Sequence, residues 1–173
     1  MKITRADLAD VKELNKLVNS AYRGEESKMG WTTEAEILDG IRIDEEALKL
    51  MLTKPAVTIL KLNNESGKML ATVCLEVKSD DLYLGMFAVS PLAQGNGIGK
   101  SMLISAEQYA LENNCKRIVI SVISSRIELI NWYSRHGYVP TGSSIAFEEI
   151  KGRFGDPKVA SISLIEMEKL IVS

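Results

Sequence analysis

The sequence is short of the residues from which disulfide frameworks and metal sites are built. Among its 173 residues are two cysteines and one histidine. Cys74 and Cys115 each lie in an apolar stretch, too few for a disulfide scaffold and, with His136, too few for a zinc set. Two inert, buried thiols and no metal are the expectation. The net charge of −2 supplies no basic surface, and phosphate-backbone binding needs one, so nucleic acid is excluded as the main partner. No apolar run approaches the ~20 residues that cross a bilayer. Met1–Asp7 carries acid early and has no signal-peptide apolar core, so a soluble, cytoplasmic chain with no membrane partner is expected. Repeats, low-complexity tracts and linkers are absent as well. What remains is 46% hydrophobic and 25% charged, a globular composition that can bury a core without staples. One domain over residues 1–173 follows.

The periodicities give an order of elements. Thr4 followed by Asp7 has the spacing of a capping box, and Leu8, Val11, Leu14, Leu17, Val18 and Ala21 then recur at helical spacing. Thr33 and Glu36 repeat the pattern before a short helix that Gly40 ends. Asp44 caps another helix, with Ala47, Leu48, Met51 and Leu52 inside and Pro55 after it. A meander follows: Val57–Leu62, turn chemistry over Asn63–Gly67, alternation from Met69 to Val77, and a strand over Leu82–Val89. A helix from about Gly99 to Glu112 leads to Ile118–Ile123, an unbroken apolar run typical of a strand covered on both faces. A helix over Arg126–Arg135 stops at Gly137. Strands near Tyr138–Thr141 and Ala160–Glu168 close the chain. Helices packed on a mixed sheet make an α/β or α+β layered domain.

The loop Ser90–Lys100 carries the chemistry. It runs from a strand through Gln94-Gly95-Asn96-Gly97-Ile98-Gly99 into a helix. Alternate glycines permit positive φ and let a ligand approach the backbone. Unpaired N–H groups at the helix start favour an anion, and successive turn amides form a nest for a pyrophosphate. Lys100 adds a point charge. Two nucleotide motifs come close and fail. Gln94–Ser101 ends as a P-loop does, yet Gln94 stands where its first glycine belongs, and the later strand Ile118–Ile123 ends in Ser124-Ser125 rather than a metal-binding aspartate. The dinucleotide fingerprint fails because Gly95-x-Gly97 leads to Lys100 and Gly97-x-Gly99 to Met102.

Gln94-x-x-Gly97-x-Gly99, preceded by a strand and Val89-x-Pro91, resembles the Q/R-x-x-G-x-G/A motif of the GCN5-related N-acetyltransferases (GNAT). The resemblance continues through the later strand and helix to Tyr133-Ser134-Arg135-His136-Gly137-Tyr138. It implies a mixed, twisted, mostly antiparallel sheet with helices on both faces, acetyl-CoA as acyl donor, and transfer to a small-molecule or peptide amine acceptor by direct attack. Phe87, Ala88 and Val89 would pair through their main chains with the pantetheine arm, as a ligand adding itself to a strand, one of their amides polarising the thioester carbonyl. Gln94, Gly95, Asn96, Gly97, Ile98, Gly99 and Lys100 would hold the pyrophosphate. Tyr133 would protonate the departing thiolate; a thiol near ~8.5 and a phenol near ~10 are closely matched.

The chain departs from the family at two places. The strand position before Phe87, often acidic, is Gly85-Met86, neither of which takes a proton; Glu76, a water chain, or an acceptor arriving neutral are the substitutes. The asparagine that often opens the last helix is Arg126, with Asn131 as a polar contact from the same helix. The missing carboxylate motivates an alternative, a non-catalytic acyl-CoA-binding module. In the segment between the first helices, Trp31 and Tyr22 form a candidate apolar slot, and Arg23 or Arg42 a partner for an acceptor carboxylate. Phe147–Pro157 is a candidate second wall or dimer contact, and the C-terminal edge strands favour a homodimer. His136 reads as a helix C-terminal cation.

Overall fold

The computed structural model describes residues 1–150 and 154–172. Its frame is a seven-stranded sheet. Strand β1 (Lys2–Arg5) leads through a 3-10 turn to helix α1 (Val11–Tyr22), the short α2 (Gly24–Ser27), strand β2 (Leu38–Asp39) and α3 (Glu45–Thr53). The meander β3 (Val57–Asn63), β4 (Met69–Lys78) and β5 (Asp81–Val89) is followed by α4 (Ile98–Glu112), β6 (Arg117–Ile123) and α5 (Ile127–Arg135). Strands β7 (Val139–Ala146), β8 (Asp156–Pro157) and β9 (Ser163–Leu170) complete the order. The sheet runs β1-β3-β4-β5-β6-β9-β7, and β2 pairs with β8 apart from it. Within the large sheet β5 and β6 are parallel, and the other described pairs are antiparallel. The mixed, mostly antiparallel sheet expected from the resemblance is the one observed.

Alternation along β4 sorts the two layers. Val73 and Leu75 point to the face covered by α4, where Met102, Leu103, Ala106 and Ala110 are buried together with Tyr133 and Tyr138. Cys74 points to the other face, against Val11, Leu14, Leu17 and Val18 of α1 and Leu48 of α3. A third cluster joins Leu38, Ile123, Phe147 and Ile162 beyond the end of β6. Helices thus lie on both faces, each burying the apolar stripe its 3.6-residue period creates.

Four readings need correction. Thr4 lies in β1, opposite Lys61, and caps nothing; the reciprocal cap is built one turn later, with Asp7 accepting from Ala9 N at 2.9 Å and Asp10 from Asp7 N at 2.9 Å. Both sites have capping-box spacing, and β3 takes the first as a strand partner. The helix expected from Thr33 to Gly40 is one turn. Ala35 N donates to the Thr33 hydroxyl at 3.0 Å, and Glu34 O accepts from Ile37 N and Leu38 N before Leu38–Asp39 pairs with Asp156–Pro157. The strand near Tyr138–Thr141 extends to Ala146, and the last strand is shifted to Ser163–Leu170. Asp44 does cap α3, accepting from Ala47 N at 2.8 Å. The proposed wall Phe147–Pro157 includes 151–153, outside the described residues; Phe147 itself is buried.

Both cysteines are free and buried. Burial pushes the Cys74 thiol up to about 12, and burial followed by the nearby Asp81 and Asp80 raises Cys115. Because the thiolate is the reactive form, neither is expected to react with a disulfide reagent such as DTNB at pH 8 in the folded chain, and both are expected to do so in guanidinium. Rapid labelling of Cys74 without denaturant would contradict its placement under α1.

Candidate active site

Strands β5 and β6 pair over Asp81–Tyr83 and Arg117–Val119, and then part. On its other side β5 stays paired with β4 as far as Val89, except at a bulge where Thr72 faces Ala88 and Cys74 faces Gly85. Met86 sits in that bulge at φ 47°, a conformation rare for a side-chain-bearing residue. Past the bulge, Ser90 N bonds to Leu70 O at 2.8 Å. By the alternation of an antiparallel ladder, Ala88 then spends its main-chain groups on Thr72, while those of Phe87 and Val89 face the gap left by β6. These gap-facing groups are partly engaged within the protein: the Phe87 N–H by the Tyr22 hydroxyl, and Val89 O by Gln94 Nε2 at 3.0 Å.

The loop after β5 has the form of an anion cradle. Gly95 and Gly97 have φ of 87° and 75°, and a Cβ on either would enter open space. Gly97 is the N-cap of the 15-residue α4 without a side-chain cap, and its first turn contains no acid. No main-chain or side-chain acceptor in the described residues takes the amides of Gln94 to Lys100. Seven consecutive donors at a helix N-terminus suit a pyrophosphate. Gly99 is glycine for another reason: a Cβ there would lie 3.1 Å from Cζ2 of Trp132.

Two cavities meet at the gap. The outer one, of about 400 Å³, is lined by Phe87, Ala88, Val89, Gln94, Gly95, Gly97, Ile98, Gly99 and Lys100 on the loop side and by Trp31, Thr32, Trp132, Arg135 and His136 opposite. The inner one, of about 490 Å³, lies under β6 and β9. Tyr22, Phe87, Arg126, Leu129 and Tyr133 line both. Whatever passes between the cavities passes these side chains.

Tyr133 is buried at 6% exposure, and no partner in the described residues holds its hydroxyl. Burial, then the neighbouring Tyr22 and Tyr138 and against the pull of Arg126, raises it well above the usual phenol range. Tyr22 is raised by burial too, partly offset by Arg42, and a backbone hydrogen bond from Phe87 reaches its hydroxyl. Trp132 packs edge-on against Tyr133 with ring centroids 5.2 Å apart and sits 6.0 Å from Phe87 and 6.3 Å from Trp31. His136 caps α5, its Nδ1 2.7 Å from Trp132 O.

Beneath the junction lies a buried ionic cluster. Glu34 receives Arg23 Nε at 3.2 Å and Arg126 Nη1 at 3.0 Å, one on each carboxylate oxygen. All three residues are 6% exposed. Arg126 also donates to the Thr32 hydroxyl at 2.8 Å, and Arg23 to the carbonyls of Ile41 and Phe154. Gln94 fastens the same loop from the other side: its Nε2 donates to Val89 O at 3.0 Å, and its Oε1 accepts from Trp31 N at 2.9 Å. Gly30 leaves room for that amide, since a Cβ there would meet Gln94 Oε1 at 2.4 Å.

The remaining expected positions fall elsewhere. Asn131 is exposed and lines neither cavity. Asn96 is exposed as well, its side chain turned back to Ala93 O at 3.0 Å. Glu76 lines neither cavity and lies 3.6 Å from Lys78 Nζ. Sequence reasoning missed Glu34, Leu129, Trp132 and the side-chain role of Gln94. The signal for α5 was present: Arg126, Leu129, Tyr133 and His136 share one helical face.

Residues 14–138 match the model of the Acetyltransferase (GNAT) family. Among curated proteins, spermine/spermidine N(1)-acetyltransferase of Bacillus subtilis is 36% identical over 62 residues, 35% of this chain and 41% of that protein. The aligned stretch thus spans about two fifths of that relative. Among solved structures, the ribosomal-protein-S18-alanine N-acetyltransferase of Escherichia coli superposes with a TM-score of 0.73 at 15% identity, covering 99% of this chain and 94% of the other. The ribosomal-protein-alanine N-acetyltransferase of Brucella melitensis gives 0.70 at 17% identity over 98% and 99%. At such identities the likeness is one of fold.

The ionic cluster is open to a direct test. Glu34→Ala leaves two buried guanidiniums without a counter-charge, and a loss of about 3–5 kcal/mol in urea unfolding is expected. A change within ~0.5 kcal/mol, the range of ordinary surface substitutions, would show that the cluster bears no strain.

Proposed function

We propose that this chain, which belongs to the Acetyltransferase (GNAT) family, acts as one domain over residues 1–173 to move an acetyl group from acetyl-CoA to an amine. The observation that carries the reading is that a cleft beside the glycine loop and a second cavity share Tyr133 and Phe87 as lining, at the stretch of β5 that β6 leaves unpaired. The cradle fits the coenzyme: unsatisfied amides from Gln94 to Lys100 for the pyrophosphate, Lys100 at its rim, and an open strand edge for the pantetheine amides. The two free thiols suit a reducing compartment, and the cytoplasm is the proposed location.

The chemistry needs three things of the protein. The thioester carbonyl must be oriented and polarised, which the Phe87 N–H can do once the Tyr22 hydroxyl yields it. The attacking nitrogen forms a C–N bond as the C–S bond breaks, and the sulfur leaves with an electron pair that takes the Tyr133 proton. The amine must lose a proton. Glu34, the carboxylate at the junction, has both oxygens engaged by guanidiniums, and Glu76 is remote. No other Asp or Glu lines either cavity among the described residues. The acceptor therefore attacks as the free amine, deprotonated by solvent. Covalent transfer through cysteine finds no support, since Cys74 and Cys115 line neither cavity.

Gly97→Asp is expected to abolish acetyl-CoA binding in calorimetry by placing a carboxylate in the nest and a side chain at φ 75°; retained affinity would remove the loop from the site. The pH profile separates the proton routes. With no enzymic base, log kcat/KM should climb with unit slope and level off at the pKa of whichever amine is supplied, shifting when the amine is changed. Tyr133, held protonated by its raised pKa, imposes no alkaline fall below its ordinary ~10. Tyr133→Phe should lower kcat with acetyl-CoA affinity retained. A plateau that stays put when the amine is changed would reveal an enzymic base.

A further inference from the structure

The charge of the inner cavity is one-sided. Arg23, Arg42 and Arg126 line it, against Glu34 as the one carboxylate among the described residues. Glu34 is spent on Arg23 and Arg126. Arg42 is left over: it makes no ion pair among the described residues, is half-buried, and holds its guanidinium 5.3 Å from the centroid of the Tyr22 ring. A second donor is also unspent. Nε of Arg126 is buried with no hydrogen-bond partner, and Glu128 Oε1 lies 4.0 Å away. Unpaired guanidinium and a buried orphan N–H are costly features in a wall unless something completes them. Both belong to residues at or beside the junction, since Tyr22 and Arg126 line both cavities.

Most of the other walls are apolar, Leu38, Met86, Ile123, Phe147, Ile150 and Leu164 among them, with Ser121 and Tyr83 adding hydroxyls. An occupant that satisfies this lining has an anion close to its nucleophilic nitrogen and an aliphatic or aromatic body behind. We infer that the acceptor is a small primary amine of the α-amino acid kind, carrying a carboxylate and an apolar side chain, and that Arg42 is the residue that reads the carboxylate. The inference rests on the acetyl-transfer reading and narrows its acceptor. A planar guanidinium suits a carboxylate by forming two parallel N–H···O bonds. The same surplus of cations acts against a polyamine, whose further ammonium groups would face guanidiniums with no free carboxylate to pair with. The acceptor named in the partial Bacillus subtilis relative is thus disfavoured here by charge.

The test measures coenzyme A release by the full chain with acetyl-CoA at one near-neutral pH, where spermidine keeps its further ammonium groups, with each rate referred to the neutral fraction of the reacting amine. The acceptors are L-leucine, L-methionine and L-phenylalanine, the carboxamide of each, and spermidine. Each acid is expected to exceed its carboxamide and spermidine by about tenfold or more in kcat/KM, because a buried donor left unpaired discriminates strongly. Arg42→Gln should bring acid and carboxamide to within about threefold by raising KM for the acid, with KM for the carboxamide and for acetyl-CoA unchanged; Arg42→Lys should restore part of the preference. Spermidine as the best acceptor, equal turnover of acid and carboxamide, or an acid preference that survives Arg42→Gln would each overturn the assignment while leaving acetyl transfer standing. Acetyl-CoA binding with release from none of the amines would sink the transfer reading, and this inference with it.

Discussion

The parting of β5 from β6 after Tyr83 is the constraint on which the rest of the site depends. Two parallel strands that stay paired leave no space between them, and their main-chain groups satisfy one another. Here the bulge at Met86 turns β5 away while its pairing to β4 persists to Val89. One edge of β5 is thereby left unpaired to β6, and both cavities border that stretch. The outer cleft and the inner cavity share Tyr22, Phe87, Arg126, Leu129 and Tyr133 as lining, and the proposed reading brings donor and acceptor together there. A left-handed residue that is not glycine is strained by about 1–3 kcal/mol. Met86 is buried at 4% exposure, and packing against α1 holds it there.

A gap in a sheet tends to close unless its rims are held apart, and two polar devices hold these. Gln94 joins the end of β5 to the backbone of Trp31 through its amide. Glu34 joins Arg23, at the end of α1, to Arg126, at the start of α5. Both fasten the 30–34 segment across the mouth, one at the coenzyme loop and one below the junction. A buried ionic triad is a poor source of net stability, because desolvation consumes most of the Coulomb energy. What it supplies here is position: three elements distant in sequence are fixed by groups that lose heavily if any one is withdrawn.

How much of this could be read from the chain follows from the range of each interaction. The meander, α3, α4, β6 and α5 were legible because period and capping are local. The glycine turn before α4 was legible because its glycines answer to one backbone conformation, the positive φ seen at Gly95 and Gly97. Thr33–Gly40 misled because a capping box specifies one turn; continuation was decided by Leu38 pairing with Pro157, more than a hundred residues on. Gln94 was recognised as a motif position, yet the use of its side chain depends on Gly30, which no spacing rule connects to it. Arg126 looked like a departure at an asparagine position and proved to be the partner of Glu34. Its meaning lay in a contact across 92 residues. Asn131 lies off both cavity linings for a simpler reason: two residues from Tyr133 on a helix is nearly the opposite face.

Burial also bears on the proton transfer proposed for Tyr133. In water a coenzyme thiol and a tyrosine are closely matched, and the raised Tyr133 seems at first to spoil the match. A thiolate leaving beside Tyr133 is subject to the same kind of desolvation, the effect that first of all raises the buried Cys74 thiol on the far side of the sheet. Low dielectric disfavours both anions, so the difference between donor and acceptor is better preserved than either absolute value. The amine obeys the opposite rule, since burial favours its neutral form. On the proposed reading, burial between α5 and the end of β5 keeps the acid loaded, favours protonation of the leaving thiolate and favours the neutral form of the nucleophile. A junction built this way has less need of the carboxylate that Gly85 and Met86 do not provide.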